Sequence, residues 1–190
     1  LTAEVLAHPS EETGGSLFGA WSSSGLPLVY LLTGPGRDAR HGVTSFYPNA
    51  ERLAATGAEL WDHWGLQHVG EWHSHHTLAL AVPSSGDIRT VLAGMDQHGL
   101  PRFLLGIACI QRRAVVTRFY LFENGNPDYR ELPVRLLSGR SPFATERTWE
   151  SWQHGTSEAW HVERWEATAP RRARGWFTAP SIKTRLAWEL

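Results

Sequence analysis

GEWHSHHTLALAVPSSGD, residues 70–87, is the stretch from which the rest of the chain can be read. Residues 69–73 are β-rich and run straight into a polar loop. Ser84 and Ser85 are natural N-cap residues for a helix over about 86–98, which Gly99 stops. The segment therefore reads as strand, loop, helix. His73 and His75 stand two apart at the strand end, so both imidazoles project to one side. Asp87 falls in the first turn of the returning helix, well placed as a third ligand. Two histidines and one carboxylate leave the fourth tetrahedral position open, which is the pattern of a catalytic rather than a structural zinc. A strand-end His-x-His on its own is a weak signal, because polar residues often leave sheets in pairs. Ser84, Asp87 and Glu12 in the right order strengthen it.

The neighbouring segments alternate between the two periods. Residues 2–8 suggest a short helix closed by Pro9 and Ser10. Residues 13–21, TGGSLFGAW, are apolar without helical spacing and read as a buried strand. A turn at 22–25 leads to a second strand at 26–32, a loop at 34–42 and a third strand at 43–47. Pro48 and Asn49 start a helix over about 50–64 with Leu53, Leu60, Trp61 and Trp64 on its inner face, and Gly65 ends it. RFLLGIACI and AVVTRFYLF, residues 102–110 and 114–122, form a hairpin around 111–113, and 132–137 add a last strand. The sum is an α/β fold, with a mixed sheet of about six strands flanked by two long helices.

A hydrolytic zinc site also needs a base for the water's proton and a donor for the oxyanion. Glu12 and Ser84 are the candidates. Glu12 precedes the glycine-rich TGGSLFG, where missing side chains would permit close approach. With Glu12 and Ser84 the segments resemble a known family. His-x-His followed at a distance by Ser-x-x-Asp is similar to the signature of the JAB/JAMM (MPN-plus) metalloproteases, and ETGGSLFG, residues 12–19, resembles their Glu-x-x-Gly-x-Leu-x-Gly strand. The resemblance covers residues 5–137. It implies an MPN/JAB-type mixed sheet, a zinc ion held by His73, His75 and Asp87, Glu12 as general base and acid, and Ser84 as oxyanion donor. His76 stands where the family has proline, and the loop 76–83 has one residue more than is usual. A shifted register would pair His76 with Ser74, which cannot replace a histidine.

GEWHSH with PSSGD, and less specifically GPGRDARHGVTSFYPN, look like bacterial JAB proteins that accompany ubiquitin-like activating and conjugating enzymes in anti-phage defence. The activity implied is removal of a ubiquitin-like protein from a conjugated target. Two rivals are a peptidase that matures the tag precursor and a non-catalytic scaffold that binds the tag or the conjugating enzyme.

Bulk properties are consistent with this reading. A net charge of −1 gives no reason to expect nucleic acid or an acidic membrane as partner. The longest apolar runs are too short to span a bilayer, and no charged-then-apolar signal segment opens the chain. The single cysteine, Cys109, lies in an apolar run, so no disulfide framework is expected and a cytoplasmic setting is. His63, His68 and His98 read as surface or boundary residues. Six of the ten tryptophans fall after residue 140, in a polar stretch broken by Pro170 and Pro180. The expected division is a catalytic domain, 1–139, and a Trp-rich C-terminal extension, 140–190, in which Trp149 and Trp152 share a helical face.

Overall fold

The computed structural model describes residues 1–75, 80–112 and 114–136. His76, most of the loop that holds it, Arg113, the boundary at 139 and the Trp-rich extension with Trp149 and Trp152 lie outside the described residues. The elements are α1 (Thr2–Ala7), β1 (Gly14–Trp21), β2 (Pro27–Leu32), β3 (Arg40–His41), β4 (Phe46–Tyr47), α2 (Ala50–Trp64), β5 (Gln67–Ser74), α3 (Ser85–His98), β6 (Arg102–Gln111), β7 (Ala114–Glu123) and β8 (Tyr129–Leu132). Six strands form one sheet in the order β2-β1-β5-β6-β7-β8. β5 and β6 run parallel and every other neighbouring pair is antiparallel, so the sheet is mixed, as expected.

Alternation along the strands sends side chains to two cores. On one face Trp72, Val69, Leu17, Leu32, Leu104 and Ala108 pack against Leu1 and Val5 of the α1 region. On the other, α3 lays Val91 and Met95 on Phe103, Leu105, Ile107, Tyr120 and Phe122. There too, α2 lays Leu53 and Leu60 on Phe18, Leu31 and Leu66. Helices thus cover both faces, and among the described residues none is long and apolar enough to cross a membrane.

Both long helices have the expected ends. The Asn49 side chain accepts from the Arg52 amide, and Gly65 takes the left-handed conformation that closes α2. Trp64 packs on the α2 core, whereas Trp61 is only half-buried. It follows Leu60 by one residue, about 100° around the helix, and so leaves the inner stripe.

Three strands differ from expectation. Residues 43–47 do not form a full strand: only Phe46 and Tyr47 pair, with Arg40 and His41, in a short ribbon. Gly42 is bonded to Ser45 in the tight turn between them, and the Arg40 guanidinium lies over the Tyr47 ring at 5.1 Å. Among the described residues the last strand is 129–132, and 133–136 do not continue it as expected, because Pro133 has no N–H for the ladder; residue 137 lies outside the described residues. β5 begins earlier, at Gln67, and carries a bulge: Leu17 faces Gly70 but Phe18 faces His68, leaving Val69 as the extra residue.

The space that the β1 glycines leave is taken by neighbouring protein atoms. A Cβ on Gly15 would lie 1.9 Å from the Thr33 carbonyl oxygen, which accepts the Trp72 indole N–H at 2.9 Å. Gly15→Ala therefore forces two backbones apart and strands a buried donor. We expect a loss of about 3 kcal/mol in unfolding free energy, read by urea denaturation. A change below about 0.5 kcal/mol would show that the sheet absorbs the methyl group.

Candidate metal centre

His73 is the last residue but one of β5, and His75 follows the strand end directly. The Ser74 amide donates to the Thr13 carbonyl at 2.8 Å and the His75 amide to Ala108 at 2.7 Å, so the strand end is held by both neighbours. Asp87 arrives from α3 through a capping box. Ser84 Oγ accepts from the Asp87 amide at 3.1 Å, and the Ser84 amide donates to Asp87 Oδ2 at 2.6 Å. The serine that starts the helix therefore also aims its carboxylate.

The three side chains converge. His73 Nε2 lies 3.0 Å from His75 Nε2 and 3.2 Å from Asp87 Oδ1, and His75 Nε2 lies 3.2 Å from Asp87 Oδ2. An ion bonded at ~2.0–2.1 Å in tetrahedral geometry would space its ligands about 3.3 Å apart. The donor set is right as well. His75 Nδ1 faces the Leu80 carbonyl at 3.3 Å, and a carbonyl can only accept, so Nδ1 carries a hydrogen and Nε2, once the ring is neutral, offers the lone pair that a metal would take. Electron-rich atoms this close need a proton or a cation between them. Among the described residues, His73, His75 and Asp87 form a group whose ligand atoms all lie within 4.8 Å of one another.

The electrostatics reflect the same crowding. Burial opposes the Asp87 carboxylate, but hydrogen bonds from His73 and His75, the His73 charge and Ser84 outweigh it and hold the carboxyl well below its usual range. Burial also opposes the charged form of His75, yet the hydrogen bond and charge of Asp87, with the charge of Glu12, push it up. His73 and Asp87 keep 16% and 18% of their side chains exposed against 7% for His75, so the group opens to solvent on one side.

Glu12 is buried at 9% exposure, close enough for its charge to act on His75, whereas Glu11 is exposed. Its amide donates to Gly42 at 2.7 Å and its carbonyl accepts from His41 Nδ1 at 2.9 Å. Ser84 is exposed at the mouth of the group. Across the sheet, the Tyr120 hydroxyl donates to the Ala81 carbonyl and anchors the segment that leads to Ser84. The structure thus gathers Glu12, His73, His75, Ser84 and Asp87 at one end of the sheet.

One pair escaped sequence reasoning. His68, intermediate in burial as a residue, places a side chain only 6% exposed between the Phe18 and Phe103 rings, and its Nε2 lies 4.0 Å from Glu71 Oε1. Three residues apart on a regular strand they would face opposite ways. The bulge at Val69 shifts the alternation and brings them together. Neither sealed atom has a hydrogen-bond partner. Burial lowers His68 from 6.5 to about 4 and raises Glu71 from 4.5 to about 7.

The two shifts act on stability with opposite signs. Between about pH 4 and 6.5 the unfolded chain binds the His68 proton more tightly, so stability falls as pH falls through that window. Between 4.5 and about 7 the folded chain binds the Glu71 proton more tightly, so stability falls as pH rises. Each slope approaches about 1.4 kcal/mol per pH unit, and the two largely cancel in wild type. In metal-free protein, Glu71→Gln should lose stability more steeply than wild type on acidification below 6.5. His68→Phe should lose it more steeply as pH rises from 4.5 toward 7. Urea titrations across this range measure both differences. Parallel curves for all three proteins would refute the assignment.

No family model matches the chain, and no curated protein matches it. Among solved structures it is similar to the solution structure of a protein from Salinibacter ruber, at 20% identity over 70% of this chain and 82% of that one, with a TM-score of 0.44.

Proposed function

We propose that this chain is a zinc-dependent isopeptidase of the JAB/JAMM kind, which removes a ubiquitin-like protein from conjugated targets in a bacterial conjugation pathway. The observation that carries the reading is the convergence of His73, His75 and Asp87 on one point, with the buried Glu12 charge beside it. The mixed sheet with helices on both faces supports the MPN/JAB-type arrangement that the motif implies. A nitrogen, nitrogen, oxygen donor set with an open side suits zinc in a hydrolytic role.

A zinc ion held by these donors supplies Lewis-acid chemistry, acidifying water toward ~7 and polarising a carbonyl. Glu12 takes the proton of the attacking water and delivers it to the leaving amine. Ser84 donates its hydroxyl hydrogen to the developing oxyanion while its oxygen keeps accepting from the Asp87 amide, since a hydroxyl can do both. The Leu80 carbonyl, accepting from His75 Nδ1, keeps the ring in its ligating orientation. Leu80 and Val82, 60% and 40% exposed at the edge of the site, offer apolar surface to the extended C-terminal tail of the tag. The activating and conjugating enzymes of the same system are the expected partners.

Substrate choice lies in binding, because the chemistry suits any amide that reaches the site. Conjugates made with the system's own enzymes should therefore release tag and target when incubated with wild type, and remain intact with chelated protein. Trimming of a tag precursor while conjugates persist would replace this reading with a maturation peptidase. Cleavage of neither, despite bound zinc, would leave a scaffold.

A further inference from the structure

We propose that His41 is a positioning residue for Glu12, acting through a closed ring that joins Glu4, His8 and His41, all outside the metal-site motifs, to the Glu12 carbonyl and the Thr13 hydroxyl. The inference rests on the reading of Glu12 as the proton carrier. The ring starts at the Glu12 carbonyl, which accepts from His41 Nδ1 at 2.9 Å. A carbonyl cannot donate, so the hydrogen of His41 sits on Nδ1. The His41 ring stacks on His8, with centroids 4.4 Å apart and planes 5° from parallel. His8 Nδ1 lies 3.0 Å from Glu4 Oε1 and 3.2 Å from the Glu4 carbonyl, both acceptors, so it too carries its hydrogen on Nδ1. Glu4 Oε1 in turn accepts the Thr13 hydroxyl at 2.9 Å, which closes the ring on the residue after Glu12.

The peptide joining Glu12 and Thr13 is thus held from two sides. On one side are His41, Gly42, Glu4 of α1 and His8, which follows the end of that helix. On the other is Ser74, which lies between the two histidine ligands: its Oγ accepts from the Thr13 amide at 3.0 Å and its amide donates to the Thr13 carbonyl at 2.8 Å. Ser74 ties Glu12 to the height of the ligands, and His41 sets the rotation of the Glu12 peptide about that tie. A base that must meet one water and then one leaving amine depends on such placement, since an error of an ångström is enough to slow turnover. Phe46 backs the arrangement, 5.5 Å from His41 and against Gly14.

Two substitutions separate the hydrogen bond from the stack. His41→Phe keeps a ring against His8 and lacks the donor, whereas His41→Asn keeps an N–H at the reach of Nδ1 and lacks the ring. On the enzymatically made conjugate, His41→Phe is expected to lower kcat about 10- to 100-fold with KM and metal content within about twofold of wild type. His41→Asn should recover most of kcat. In metal-free protein, hydrogen exchange at the Glu12 and Thr13 amides should speed up in His41→Phe and stay near wild type in His41→Asn. Wild-type kcat in His41→Phe, beside an inactive Glu12→Gln, would overturn the proposal while leaving the proton carrier in place. Equal losses in both His41 variants would also overturn it, because the shared hydrogen bond would then not be the cause. Full turnover in Glu12→Gln, or an inert wild type, would instead remove the reading on which the proposal rests.

Discussion

Glu12→Gln is expected to retain metal and fold and to lose turnover by about 10²–10⁴-fold. Glutamine matches glutamate in shape, so the buried side chain at 9% exposure keeps its packing, and the backbone bonds to Gly42 and His41 do not involve the substituted atoms. What disappears is a group able to take a proton from water and give it to an amine. The Glu12 charge also helps to raise His75, so its removal makes the imidazole release its proton more readily, which does not oppose ligation. Metal content should therefore equal that of wild type while kcat collapses. Near-normal kcat would pass the proton to another group, with exposed Glu11 the first to be tested.

The second large effect concerns Asp87. Asp87→Asn should weaken metal binding by at least about 10²-fold, beyond what loss of an outer-shell partner brings, and should abolish turnover. An amide oxygen can still accept from the Ser84 amide, so the capping box, worth about 1 kcal/mol, is largely kept. Asp87→Ala removes ligand and cap together. Comparing the two separates metal loss from a frayed α3. His75→Ala should behave like Asp87→Asn, and His76→Ala should keep its metal. Metal analysis of the purified variants reads all four. Loss of metal in His76→Ala with retention in His75→Ala would mean that the ligand register is shifted by one.

The parts of this site that could be read in the sequence are those governed by short-range rules. Strand alternation puts His73 and His75 on one side, and a serine N-cap three residues before Asp87 locates the carboxylate at a helix start. Glu12 stands out in the sequence by its place before a glycine-rich strand and by motif resemblance, but its nearness to the histidines is not legible there, since nothing local says that residue 13 pairs with residue 74. The His68–Glu71 pair was hidden because one inserted residue in β5 reverses the facing of everything before it, and a bulge has no sequence period. The β3–β4 ribbon was hidden for a related reason: two-residue strands are too short to alternate. Helix α1 was visible, but its task was not. The contacts of Glu4 and His8 with Thr13 and His41 join segments that only the folded sheet brings together.

Titration of zinc into protein stripped by a chelator, with binding and conjugate cleavage followed in the same samples, asks whether these donors hold a hydrolytic metal. Three donors converging on one point predict a single tight equivalent per chain. They also predict a thermal transition that moves up as the site fills, and hydrolysis that reaches its plateau at the same equivalent. Full hydrolysis by the stripped protein, or zinc bound just as tightly by Asp87→Ala, would mean that His73, His75 and Asp87 are not a hydrolytic zinc site.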